Sequence, residues 1–130
     1  MTIARSTGAF FGTNESTLAS LAAGVTTTAG EVDVLGSDAA VGEVEVYALV
    51  TFGTVAATAG VNLKVNKQRV TGAGYLQQNY SLSITAVAST TVKVPLGRMS
   101  ASRYMSVTAQ NTDATNGVSV FVGYELFKLS

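Results

Sequence analysis

Residues 117–130 read GVSVFVGYELFKLS. In an extended chain alternate side chains share a face. Val118, Val120, Val122, Tyr124 and Leu126 therefore line one side, while Ser119, Phe121, Gly123, Glu125, Phe127 and Leu129 line the other. Both sides carry apolar residues. One can enter the protein's own core; the other needs something else to bury against. The same period of two recurs upstream in EVDVL (31–35), EVEVYALVTF (43–52), GVNLKV (60–65), QRVTG (68–72), YSLSITAVA (80–88), TTVKVPLG (90–97) and RYMSVTAQN (103–111). These short runs, separated by Gly, Asn, Asp and Ser, predict about eight strands in an all-β, antiparallel, jelly-roll-like sandwich. No run is followed by a helix of crossover length, which argues against a parallel α/β fold. Pro95, the only proline, places TTVKVPLG at a sheet edge or a strand end. NTDATNG (111–117) is rich in turn formers and joins the last two strands.

Before residue 25 the pattern changes. MTIARSTGAFFGTN (1–14) has neither helical nor strand alternation and reads as an extended arm. ESTLASLAAG (15–24) allows a short helix, with Asn14 or Ser16 as N-cap, Leu18 and Leu21 on one face and Gly24 as its stop. The expected division is an arm with a short helix over 1–24 and a sandwich over 25–130.

The 130-residue length suits one domain with a core of its own. There is no Cys, so no disulfide or thiolate-bound metal enters the fold. There is also no His, which removes Ser-His-Asp and Cys-His catalysis and the commonest transition-metal ligand. Charged residues make up 12% of the chain, about half the usual share, and the net charge is zero, so a nucleic-acid partner is not expected. The charges are sorted: residues 1–60 net minus five and residues 61–130 net plus five, which favours pairing between the halves or between copies. No secretory leader is read in the first residues, and the uncharged run Val46–Leu63 contains too much Thr, Gly and Asn for a membrane span.

Three constellations invite chemistry. Glu31 with Asp33, and Glu43 with Glu45, project from the same side of a strand about 7 Å apart, a spacing open to glycoside hydrolysis or calcium. Acid alternating with Val is also what a half-buried strand requires, and without Trp the sequence offers little for a sugar cleft. KVNKQR (64–69) can contact phosphate but reads better as a solvated strand and turn. TGAGY (71–75) lacks the Lys-Ser/Thr pair and the following helix of a phosphate loop. Phe10 and Phe11, between glycines in the unpatterned arm, fit an anchor in a partner's groove, although a core position is the commoner fate of an aromatic.

A short arm followed by these strands, ending in RYMSVTAQNTDATNG and VSVFVGYELF, resembles the small β-sandwich decoration, or cement, proteins of tailed-phage capsids. The likeness covers residues 25–130 in pattern and composition. It implies a homotrimer on the virion's capsid surface, bound to the major capsid protein, with no catalysis, cofactor, membrane or small-molecule substrate. It further implies that Phe121, Phe127 and Leu129 complete a subunit or capsid contact, and that Arg5, Phe10 and Phe11 bind another chain. A phage tail, baseplate or fibre module is the runner-up, followed by a major coat protein and a carbohydrate-binding module or hydrolase.

Overall fold

Alternation of Val with polar residues dictates strands with one dry and one wet face, and the computed structural model shows how they pair. It describes residues 3–28, 32–35, 41–53, 59–68, 77–101 and 103–129. In chain order the strands are β1 (Ile3–Phe11), β2 (Ala19–Leu21), β3 (Thr26–Thr28), β4 (Val32–Asp33), β5 (Val41–Phe52), β6 (Gly60–Gln68), β7 (Gln77–Thr85), β8 (Thr91–Ser100), β9 (Tyr104–Asn111) and β10 (Val118–Leu129). One sheet has the order β1-β10-β5-β8, with β2 also on β10; the other has β3-β9-β6-β7, with β4 also on β9. All pairings are antiparallel.

β1 pairs with the stretch from Leu129 to Val122 and β2 with Val120 to Val118, so the two fill successive parts of one edge of β10. β3 and β4 share an edge of β9 in the same way. Counting each broken edge strand once gives two four-stranded sheets whose connections cross from one sheet to the other everywhere except β6 to β7. That topology is a jelly roll. The ten observed strands thus fill eight positions, the expected number but not the expected set: β1 with β2 takes a place expected to be arm and helix, and QRVTG falls mostly outside the described residues.

The core fills the space between the sheets. Val44, Val46, Ala48 and Val50 of β5 meet Val61, Leu63 and Val65 of β6 and Met105, Val107 and Ala109 of β9, all essentially fully buried. Glu43, Glu45 and Thr51 point the other way and are exposed. Pro95 lies on the edge strand β8, as expected, opposite Tyr47. The ladder slips by one residue beside it, and Gly97 takes a φ of 123° that a side chain would resist.

Two expectations for the first 24 residues are corrected. There is no helix among the described residues. Asn14 does accept a nearby backbone N–H, that of Ser16 at 2.8 Å, but within a hairpin turn closed by Thr17 N–H on the Asn14 carbonyl at 3.1 Å. Beyond that turn the open edge of β10 offers backbone partners, and Leu21 gains a core site, which outweighs helix propensity. Gly24 does stop the segment, at φ 68°.

The arm is likewise part of the sandwich. Residues 3–11 are β1, and Phe10 is 8% exposed, packed in the core with its ring centroid 5.1 Å from that of Tyr124. The register slips between Ala9 and Phe11, so the adjacent Phe11 also packs against the core instead of pointing away. Phe10 and Phe11 therefore do not form a free anchor.

Candidate interaction surface

The second face of β10 lies at the centre of the outer surface of its sheet, and register sets its neighbours. Arg5, Phe127, Glu43 and Ser100 form one row across β1, β10, β5 and β8. Thr7, Glu125, Glu45 and Arg98 form the next, followed by Ala9, Gly123, Tyr47 and Pro95, then by Phe121, Leu49 and Lys93. The last row, Ser20, Ser119, Thr51 and Thr91, holds only hydroxyls. Charge is thus concentrated at one end of this face and fades toward the other.

Phe121 is only 4% exposed, although it points away from the core between the sheets. Its ring packs on Tyr47, centroids 5.8 Å apart, and against the excursion of chain between β1 and β2, where Gly12 at φ 77° comes close to it. Both rings lean over Gly123, where a Cβ would stand 2.7 Å from Phe121 and 3.1 Å from Tyr47. The middle of the second face of β10, at Phe121 and Gly123, is therefore buried by its own chain, and Phe121 is not available to a partner. Burial first, and then the charge and hydrogen bond of Glu15, raise the Tyr47 hydroxyl pKa above 10.0.

Phe127 is different. It is half-buried, with the Arg5 guanidinium 5.2 Å and the Arg98 guanidinium 4.3 Å from its centroid. Arg5 Nε donates to Glu125 Oε1 at 2.8 Å, and Arg98 Nε lies 3.2 Å from Glu43 Oε2. Two cations thus hold one ring while two carboxylates hold the cations. Leu129 pairs with Ile3 and Val41, but its side chain lies outside the described residues. Of the residues expected at an interface, the fold brings Arg5 and Phe127 together and sends Phe10, Phe11 and Phe121 into packing. Tyr47 and Arg98 were missed; an outward Tyr on a strand of alternating Val was the available signal, whereas the reach of Arg98 depends on register.

The ion pairs Arg5–Glu125, Lys93–Glu15, Arg98–Glu43 and Arg103–Asp33 each join the acidic first half of the chain to the second half, or the reverse. The predicted pairing of halves occurs within one chain. The two described lysines of KVNKQR do not form a basic patch. Lys64 is exposed, but Lys67 turns inward, donates to the Ser100 carbonyl, and has its pKa lowered by burial. Arg69, Glu31 and TGAGY lie outside the described residues.

The loops at the charge-poor end are tied together by two side chains. Asn111 Nδ2 donates to the carbonyls of Leu21, Ala22 and Asn116 at 3.3, 3.3 and 2.9 Å. Asp113 accepts from the backbone N–H groups of Thr115 and Asn116 at 2.8 and 3.0 Å, and these bonds hold its pKa down to about 2 from 3.8. A carboxyl more acidic in the folded than in the unfolded chain contributes stability that is complete above about pH 4 and is lost as pH falls through 2. The melting temperature should therefore fall between pH 4 and pH 2, and Asp113→Asn should flatten that part of the profile.

This jelly roll is of a kind found in a virus particle. The fold is similar to a chain in the structure of infectious bursal disease virus, Gx strain, with a TM-score of 0.68 at 7% identity over 96% of this chain. It is also similar to the VP2 subviral particle of infectious bursal disease virus, with a TM-score of 0.56 at 7% identity over 96% of this chain. The chain spans about a third of the length of those chains, 32% in each case. A protein of the disulfide-linked pili of Bacillus endospore appendages overlaps more loosely, with a TM-score of 0.45 at 15% identity over 99% of this chain and 90% of that one. No protein-family model matches the sequence, and no curated protein does. The resemblance to phage decoration proteins narrows, on these findings, to a fold that also occurs in a virus particle.

Proposed function

We propose that the chain is a non-enzymatic structural subunit of a virus particle and, within that class, a decoration protein that associates with itself and binds the assembled shell of a tailed phage through its major capsid protein. The observation that carries this reading is the clamped Phe127. A half-buried ring already fixed between Arg5 and Arg98 loses little freedom on docking, and aromatic and Arg side chains are the usual anchors of protein interfaces. With Phe10 in the core and Phe11 packed against it, the anchor moves from the N-terminal segment to this face of the sheet. The likeness to virus structures supports the choice of class. A subunit that binds only the assembled lattice stabilises that lattice by linkage.

The test adds purified protein to shells that lack it. Wild type is expected to bind, and Phe127→Ala to bind at least about tenfold more weakly with an unchanged circular dichroism spectrum. Undiminished binding by the variant would remove Phe127 from the contact. Copies seen only on tails in electron micrographs would assign the protein to a tail or fibre instead.

A further inference from the structure

The two large apolar side chains exposed among the described residues, Val25 at 38% and Val87 at 45%, belong to loops at the same end of the sandwich. Val25 lies between β2 and β3, and Val87 between β7 and β8. Around them the exposed residues are small or hydroxylated, such as Ala22, Ala88, Ala114 and Thr115. The described loop residues at this end, in 22–25, 53, 59, 86–90 and 112–117, include one charged group, Asp113, which is 3% exposed and turned onto backbone N–H groups. The adjoining outer row is Ser20, Ser119, Thr51 and Thr91, and across the molecule the row nearest this end is Thr26, Gln110, Asn62 and Ser83. Neither row is charged.

The described loops at this end are also tied to one another. Besides the bonds of Asn111 and Asp113, Gly24 N–H donates to the Asp113 carbonyl at 2.8 Å, Thr112 N–H to the Gly60 carbonyl at 2.9 Å, and Ser89 N–H to the Gly53 carbonyl at 2.9 Å. Ser89 is held at φ 55°, a conformation most residues avoid. Loops held in this way have little freedom left to lose in a contact.

We infer that this uncharged end is where copies of the chain meet one another, loop end to loop end around a rotation axis. The inference rests on reading the chain as a self-associating structural subunit. Contact of identical surfaces around an axis brings groups close to their own counterparts, so each exposed charge there is repelled by its copy. An end with its one carboxylate turned inward meets that condition, whereas the Arg5–Glu125 and Arg98–Glu43 face suits a surface of different composition. Small side chains also lose little rotamer entropy on burial. A lipid surface is a poorer match, because inserting segments rely on larger apolar residues flanked by Lys or Arg.

The test uses the full chain and two double variants, Val25→Lys with Val87→Lys, and Val25→Asp with Val87→Asp. Both sites are exposed, so native-like circular dichroism is expected. Should a double variant unfold, Val87→Lys alone probes the same contact. Sedimentation should show an oligomer for wild type, self-association weakened by at least about a hundredfold in affinity for each double variant, and reassembly when the Lys and Asp variants are mixed. Phe127→Ala should keep the wild-type oligomer. Unchanged oligomers in both double variants, or a mixture that stays monomeric, would overturn the contact. A monomeric wild type that still binds shells would also overturn it and leave the decoration reading intact. A wild-type oligomer that behaves as expected but does not bind shells would support the contact and remove the shell reading.

Discussion

Phe10→Ala is expected to destabilise the isolated protein by about 4 kcal/mol, the usual cost of emptying a buried aromatic site. For a chain of this length that lowers the melting temperature by roughly 10–15 °C. The ring is buried against Tyr124, and the ring of Tyr124 in turn lies over Gly8, where a Cβ would stand 2.4 Å from its hydroxyl oxygen. Loss of Phe10 therefore leaves both a cavity and an unsupported Tyr124. Phe11, which packs from the margin of the core, should cost less on truncation, about 1–2 kcal/mol. Thermal melts without any partner decide the matter. An unchanged melting temperature for Phe10→Ala would place the ring outside the core and return it to the role of anchor.

Asn111→Ala is expected to be nearly as damaging, at about 3 kcal/mol, because it removes four hydrogen bonds made by a buried amide to backbone groups of the surrounding loops. Three carbonyls lose the Asn111 donor, of which the Ala22 carbonyl keeps the Val25 N–H at 3.2 Å, and the Asp113 N–H loses Asn111 Oδ1, its acceptor at 3.0 Å. Asn111→Asp, nearly the same shape, should be no milder, since it turns a carboxylate toward those three carbonyls. Urea titration should show a lower midpoint for both with the slope unchanged. A midpoint within error of wild type for either would mean that water replaces the amide and that the loops do not depend on it.

How much of this was legible in the sequence depended on whether the deciding contact was local. The alternation of β5 and β10 announced their faces, and Glu43 and Glu45 fell on the wet side. The sorting of charge anticipated ion pairs that bridge the halves. β1 was hidden because adjacent Phe10 and Phe11 break a period of two, and only the slip in register against β10 lets both turn toward the core. β2 was hidden because Leu18 and Leu21 satisfy a helical spacing, and it is the edge of β10, nearly a hundred residues on, that decides otherwise. At the candidate surface, alternation placed Phe127 on the outward side, whereas Arg5, expected to contact another chain from an arm, pairs with Glu125 of its own. The cover over Phe121 and the reach of Arg98 belong to strand order, which periodicity does not encode.

β10 binds β5 along one side and β1 and β2 along the other, and this arrangement sets a timetable for the growing chain. Among the described strands, β6 and β7 are the one paired set of neighbours in sequence. Every other ladder joins strands with further strands between them, a topology that folds in milliseconds to seconds rather than microseconds. While the ribosome is still making the loop after β9, the first sheet lacks the strand between β1 and β5. Two open ladder edges and the inward valines of β5 are then exposed to other nascent chains, the condition under which partly made β proteins aggregate. The β6–β7 hairpin can form early; the rest of the sandwich closes only once β10 has emerged.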